Sequence, residues 1–221
     1  MNTMGKTALC AALMLTVVAC GPLNENNIST DALNVVREKL GGAPAIAPQA
    51  PAPALTRAQV DADPGGYMVL NAYNGSLVTA MAPGGINGNR ITWLSPNGLS
   101  TTTQNGILVA SRGFPRDLMA ADVDGVMLAL MASGGSTTRM HEVLSDTDQI
   151  MTQTFACTVT SRGAETIKIL GRQIATERFS ETCQSDRLAF DNSYWIDEGG
   201  RIVRSQQAIA PESGYIQLDQ P

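Results

Sequence analysis

Apolar positions along this chain follow three regimes. From Ala8 to Val18 they run almost unbroken; Leu33, Val36 and Leu40 then recur at helical spacing; from Tyr67 onward apolar and polar residues mostly alternate, the period of a strand. The middle regime predicts a helix over Thr30 to Leu40, with Ser29 or Thr30 as its N-cap and Gly41-Gly42 as its stop. Gly41 to Ala54 is built almost entirely from Ala, Pro and Gly, which predicts an extended spacer of about 3.1 Å per residue or a loosely held strap. A folded domain is predicted from Leu55. It opens with a short turn of helix from Thr56 through Val60, stopped by Asp63-Pro64-Gly65-Gly66.

Strands are expected over Tyr67 to Tyr73 and Ser76 to Met81, joined by the hairpin signal Asn74-Gly75 and followed by a loop from Pro83 to Asn89. Ile91, Trp93 and Ser95 share one face of the next strand. Pro96-Asn97-Gly98 turns the chain into Leu99 to Gln104, whose threonines are expected to face water, and Asn105-Gly106 leads into Ile107 to Ser111. Tyr194 to Gly200 repeats this arrangement before a strand over Arg201 to Ala208. Trp195 stands five residues before Gly200, as Trp93 stands five before Gly98, and one turn solution used twice is favoured over a pseudo-repeat. Between these hairpins, Arg116 to Ala120 and Gly125 to Met131 read as helical turns. Phe155, Cys157 and Val159 then share a strand face, Arg162-Gly163 reads as a turn into Glu165 to Leu170, and Gln173 to Cys183 forms a longer strand. Glu177 and Glu181 share the parity of Phe179 and Cys183, so a bulge is expected to rotate part of that strand. The predicted fold is mainly β: an antiparallel meander closed or curled into a barrel or sandwich, with a few short helices.

The apolar run near the start is about a dozen residues, well short of the roughly 20 that a membrane-spanning helix needs. With Lys6 before it and Ala19-Cys20 after it, the order is that of an export leader. Val17-Val18-Ala19-Cys20 resembles the lipobox of bacterial lipoproteins; an ordinary secretory peptide is the alternative. The resemblance implies a diacylglyceryl thioether on Cys20, cleavage before it and an acylated amino terminus. Each buried CH₂ contributes about 0.8 kcal/mol, enough for several chains to hold a protein on a membrane. Residues 1–19 are thus read as leader, 20–54 as a lipidated tether and 55–221 as the domain. Because no Asp follows Cys20 to resemble the inner-membrane retention signal of enteric bacteria, the expected place is the outer membrane, facing the periplasm.

Charge and cysteine content narrow the picture further. The net charge of −5 becomes −6 when Lys6 leaves, and the basic residues are scattered, which argues against nucleic-acid binding. Of four cysteines, Cys10 leaves with the leader and Cys20 carries lipid. Cys157 and Cys183 remain in an oxidising compartment and are predicted to form a disulfide, two buried free thiols being the alternative.

No motif supplies catalytic chemistry. The one histidine, His141, begins a sequence like the zinc-protease HExxH but has Ser145 where the second ligand is needed; it reads as surface or half-buried, and no metal or cofactor is expected. Asp122-Val123-Asp124-Gly125 lacks the rest of a calcium loop and reads as a turn. A glycosidase needs two carboxylates about 5 to 10 Å apart, for which Glu177 with Glu181, or Asp186 with Asp191, are the candidates. Trp93 and Trp195 could stack on sugars, but their strands more readily feed the core.

Ile91 to Ser95 with Asn97-Gly98, Asn105 to Leu108, Gly113 to Leu118, Glu181-Thr182-Cys183, Tyr194 to Asp197, Gly200 to Gln207 and Pro211 together resemble the YjbF/GfcB family of bacterial lipoproteins. The likeness spans roughly Leu55 to Ile216. It implies a β-rich outer-membrane lipoprotein engaged in production or secretion of group 4 capsule or a similar exopolysaccharide. Its implied partners are a periplasmic protein and an outer-membrane barrel, with the polysaccharide itself as a further candidate. No catalytic residue transfers; only Cys20 does as a functional position. The expected function is therefore that of a non-enzymatic assembly or export factor. A polysaccharide-modifying enzyme and a structural envelope lipoprotein are the alternatives.

Overall fold

The computed structural model describes residues 55–63 and 65–221; the expectations for the leader, Cys20, the helix from Thr30, the linker and Pro64 lie outside them. Helix α1 (Arg57–Ala62) carries a capping box, in which the Thr56 hydroxyl accepts the Gln59 N–H and the Gln59 side chain accepts the Thr56 N–H. Twelve strands follow among the described residues: β1 (Met68–Ala72), β2 (Leu77–Asn87), β3 (Arg90–Leu94), β4 (Ser100–Gln104), β5 (Ile107–Arg112), β6 (Leu118–Asp122), β7 (Gly134–Leu144), β8 (Ile150–Ile169), β9 (Arg172–Gln184), β10 (Ala189–Asp197), β11 (Ile202–Ala210) and β12 (Gly214–Asp219). Helix α2 (Asp124–Met131) stands between β6 and β7.

All pairs are antiparallel, in the order β5-β4-β3-β2-β1-β12-β11-β10-β9-β8-β7-β6, so the fold is a nearly closed barrel. The ends of that order, β5 and β6, meet at a seam held by side chains. The Leu118 N–H donates to Ser111 Oγ at 3.0 Å, and Arg112 donates to the carbonyls of Leu118 and Met119 at 3.1 and 3.4 Å. These bonds supply partners that a ladder would otherwise provide at a sheet edge.

Three hairpins share one turn, with three residues between the strand-end positions. Ser95, Ser145 and Asp197 each donate the backbone N–H to the carbonyl of the residue four later, and each side chain accepts that residue's N–H. The third loop position has positive φ in every case: Gly98 at 84°, Asp148 at 57° and Gly200 at 77°. The two tryptophan hairpins are thus two uses of a common turn.

Several expectations are corrected. Pro83 begins no loop: it stands opposite Trp93, a register shift before Gly85 leaves Gly84 as the extra residue directly after the one that lacks an N–H, and β2 continues to Asn87. Arg116 to Ala120 is no helical turn; Leu118 opens β6, whereas the Gly125 to Met131 expectation matches α2. Arg162-Gly163 is a bulge inside the 20-residue β8, not a turn between two strands. The expected bulge in the neighbouring strand is therefore in β8 instead, and Glu181 keeps the inward parity of Phe179 and Cys183. Thr101 and Thr103 do not face water: both are buried, and Thr103 Oγ1 accepts the Trp93 indole N–H at 3.1 Å.

The main core fills the barrel with Met68, Leu70, Trp93, Ile107, Phe179, Tyr194 and their neighbours. A second apolar cluster of Ile167, Ile169, Trp195 and Val203 lies on the other face of β8 to β11. There Val60 of α1 is buried and shares a small cleft with Ile174 and Val203. Trp93 and Trp195, matched in sequence, thus occupy opposite faces of the sheet.

Candidate functional site

Alternation along β7, β9, β10 and β11 aims an unusual set of side chains into the barrel. β7 contributes Arg139 and His141, β9 Glu181, β10 Asn192 and Tyr194, and β11 Ser205 and Gln207, all buried. A buried charge requires a partner and full hydrogen bonding. Glu181 Oε2 accepts from Tyr194 Oη at 2.6 Å, Asn192 Nδ2 at 2.7 Å and Arg139 Nη1 at 3.1 Å. Arg139 also donates from Nε to His141 Nε2 at 2.7 Å and from Nη2 to the Leu108 carbonyl at 3.1 Å. Gln207 accepts the Leu108 N–H at 2.9 Å, and Asn192 accepts the Ala208 N–H at 2.9 Å. Arg139 and Gln207 therefore partner the free-edge backbone of β5 from inside the barrel.

These contacts set the protonation states. Burial opposes the Arg139 charge, but the Glu181 carboxylate and Tyr194 overcome it and hold its pKa above the ordinary value. Burial first, and then Glu181, push the Tyr194 hydroxyl well above its usual range, so it remains a donor. His141, expected at or near the surface, is buried and is pushed down to about 3 by desolvation and by the Arg139 charge. It is neutral in the folded protein, while an unfolded histidine protonates near pH 6.5. Between those values the unfolded chain binds more protons, so stability is lost as pH falls through that window, by up to about 1.4 kcal/mol per pH unit from this group. Urea midpoints measured from pH 7 to pH 4 are expected to fall less steeply for His141→Gln than for the wild type. Parallel curves would show that His141 does not remain neutral.

The polar layer separates the main core from a smaller cluster of Phe155, Cys157 and Cys183, with Leu188 and Phe190 against it. Cys157 and Cys183 are directly opposed across β8 and β9 and joined by a disulfide, with their Cα atoms 4.1 Å apart. Glu181 and these two sulfurs lie close together, but the S–S bond occupies both cysteines and the carboxylate is bound to Arg139, so the group does not suit a metal.

This cluster floors a cleft of about 530 Å³ at the barrel mouth formed by the β7–β8, β9–β10 and β11–β12 turns. His141 stacks on Phe190 at 5.4 Å, and Phe155 meets both rings edge-on. Tyr215, 40% exposed, stands in the wall, its Oη accepting the Asp191 N–H at 3.1 Å. Arg116 ties three loops together, reaching the Leu144 carbonyl and Asp146 at 2.6 Å and Glu212 at 3.2 Å, while its backbone N–H donates to Ser213 Oγ at 2.8 Å. At the opposite mouth, a cleft of about 680 Å³ is rimmed by exposed Ile86 and Met131 and includes Glu177.

The carboxylate pairs do not converge. Glu177 and Glu181 are four residues apart on one strand, about 13 Å at strand rise, and open onto different surroundings: one faces a mouth, the other lies within the polar layer. Asp186 is on an exposed turn, and Asp191 is outside the barrel, bonded to Thr182. Neither tryptophan is placed for sugar stacking. Trp93 lies inside the core, and Trp195 lies under Arg178, whose guanidinium is 5.1 Å from its ring. Gly98 and Gly200 serve their turns. The aromatic lining of the cleft was not foreseen; the alternation from Arg139 to Val143, setting Arg139, His141 and Val143 on one face, was the available signal.

A family model described as "Group 4 capsule polysaccharide lipoprotein gfcB, YjbF" matches residues 32–220. The chain is 25% identical over 167 residues to the uncharacterized lipoprotein GfcB of Escherichia coli K12, covering 73% of this chain and 77% of that protein. The crystal structure of the hypothetical lipoprotein YmcC from Escherichia coli K12 has a similar fold, with a TM-score of 0.64 and 20% identity, covering 92% of this chain and 96% of that one.

Proposed function

Since this chain belongs to the YjbF/GfcB family of group 4 capsule polysaccharide lipoproteins, we propose that it is a lipid-anchored, non-enzymatic factor in the assembly or export of a capsule or related exopolysaccharide. In this reading acyl chains on Cys20 hold it on the outer membrane, facing the periplasm. The barrel domain then engages an outer-membrane barrel and periplasmic secretion proteins. The family match across residues 32–220 carries the reading. Its non-enzymatic part is supported by the way the buried ionisable groups of the described residues bind one another, and by the pairing of the cleft-lining carboxylates Asp146 and Glu212 with Arg116 and of Asp197 with Arg201.

The test is the yield of extracellular polysaccharide from wild type, a deletion strain and a strain whose chain carries Cys20→Ser. Loss of polymer in both mutants, with the Cys20→Ser protein still folded, is the expected result and makes anchoring part of the function. Unchanged yield in the deletion strain would remove the role in polymer production, and full yield from Cys20→Ser would remove the need for the anchor.

A further inference from the structure

We propose that the cleft between the β7–β8, β9–β10 and β11–β12 turns binds an uncharged stretch of glycan, an inference that rests on the capsule reading above and gives it a contact surface. Its volume, about 530 Å³, falls within the range of roughly 300 to 1,000 Å³ common to small-ligand sites. The lining pairs apolar ring faces with polar groups. Phe190 and Tyr215 offer surfaces on which the C–H faces of a pyranose can be buried, while half-buried Gln153 and the exposed carboxylate of Glu212 can meet hydroxyls.

Rim charge selects among glycans. Arg116 is committed to Asp146 and Glu212, so these three side chains carry a net charge of −1 and repel a carboxylated or sulfated segment. The walls are also fixed before any ligand arrives. Arg116 fastens three loops, Tyr215 is held through the Asp191 N–H, and the disulfide locks β8 to β9 directly behind the aromatic floor. A ligand therefore meets formed walls, which lowers the ordering cost of binding.

The experiment uses the mature lipidated protein in lipid nanodiscs and saturation-transfer NMR observed on the ligand. The probes are cellotriose, maltotriose, chitotriose and mannotriose as neutral glycans, trigalacturonate as an anionic one, and decanoate as an acyl chain. At least one neutral trisaccharide is expected to receive saturation on its C–H protons, at least fivefold more than trigalacturonate. That signal should fall at least fivefold in Tyr215→Ala and in Phe190→Leu, the second of which preserves bulk against the core. Both variants must melt within a few degrees of the wild type. The proposal is overturned if no neutral glycan receives saturation, if both folded variants retain the full signal, or if decanoate alone gives a Tyr215-dependent signal, which would mark an acyl-chain site. Failure here leaves polymer yield in the deletion strain as an independent measure of the capsule role. Binding with unchanged yield would instead keep the site and remove that role.

Discussion

Replacing Glu181 by alanine is expected to destabilise the barrel by about 3–5 kcal/mol, the usual effect of leaving the partner of a buried ion pair uncompensated. Both side chains of the pair are fully buried. The variant would strand Arg139 together with the donors of Tyr194 and Asn192, which now converge on one carboxylate oxygen. Since a domain is commonly stable by only about 5–15 kcal/mol, much of the margin would go. Glu181→Gln keeps the shape and one acceptor but not the charge, and should recover part of the loss. Urea denaturation of the wild type, Glu181→Ala, Arg139→Met and the double variant, combined as a double-mutant cycle with Glu181→Gln alongside, measures the coupling. A loss below about 1 kcal/mol in Glu181→Ala would mean that water or rearranged side chains already satisfy the site, against the geometry described.

Removing the disulfide should have the next largest effect. Cys157 and Cys183 are 26 positions apart, and closing a loop of that length in the unfolded chain corresponds to about 3.5 kcal/mol in the chain-entropy model. For a domain of this size each kcal/mol shifts the melting temperature by about 2–4 °C, so the double variant Cys157→Ser, Cys183→Ser is expected to melt about 7–14 °C lower. Full reduction of the wild type should reproduce the shift, with thiol labelling to prove that the bond has opened. An unchanged melting temperature after proven reduction would show that the β8–β9 pairing persists in the unfolded chain and already restricts it. A single Cys183→Ser change answers a different question, because it frees a thiol on β8 and places a hydroxyl beside Glu181, whose Oε1 is 3.2 Å from the present sulfur.

The chain displays its strands openly and its interior poorly, for a physical reason. Turns such as Asn74-Gly75, Asn105-Gly106 and Pro96-Asn97-Gly98 are local, and their backbone demands are met by residues within the same few positions, so they are readable. Bulges are settled by the neighbouring strand. Pro83 and Arg162-Gly163 carry strong breaker signals, yet at both places the partner strand continues and holds the chain in the sheet. The polar layer is harder still. Arg139 looks like a solvent-facing residue until Glu181, Tyr194 and the Leu108 carbonyl are brought to it from positions remote in sequence. A rule that sends Glu181 outward by bulging its own strand was reasonable for an unpaired carboxylate, and pairing removed its premise. The disulfide was legible because few cysteines had to be assigned, whereas the cleft depends on three turns meeting at one end of a barrel.

Strand order also governs when the fold can be finished. Every neighbouring pair in the sheet is consecutive along the chain except β1 with β12, where Val69 to Ala72 lies against Ile216 to Asp219. Hairpins close over short loops and form early, but this pair spans nearly the whole domain and bears the largest loop-closure entropy. In a chain delivered across a membrane amino end first, β1 and β2 emerge long before their last neighbour. The domain then waits as an open ribbon with the β1 edge unpaired, and the arrival of the final dozen residues sets the moment at which it closes.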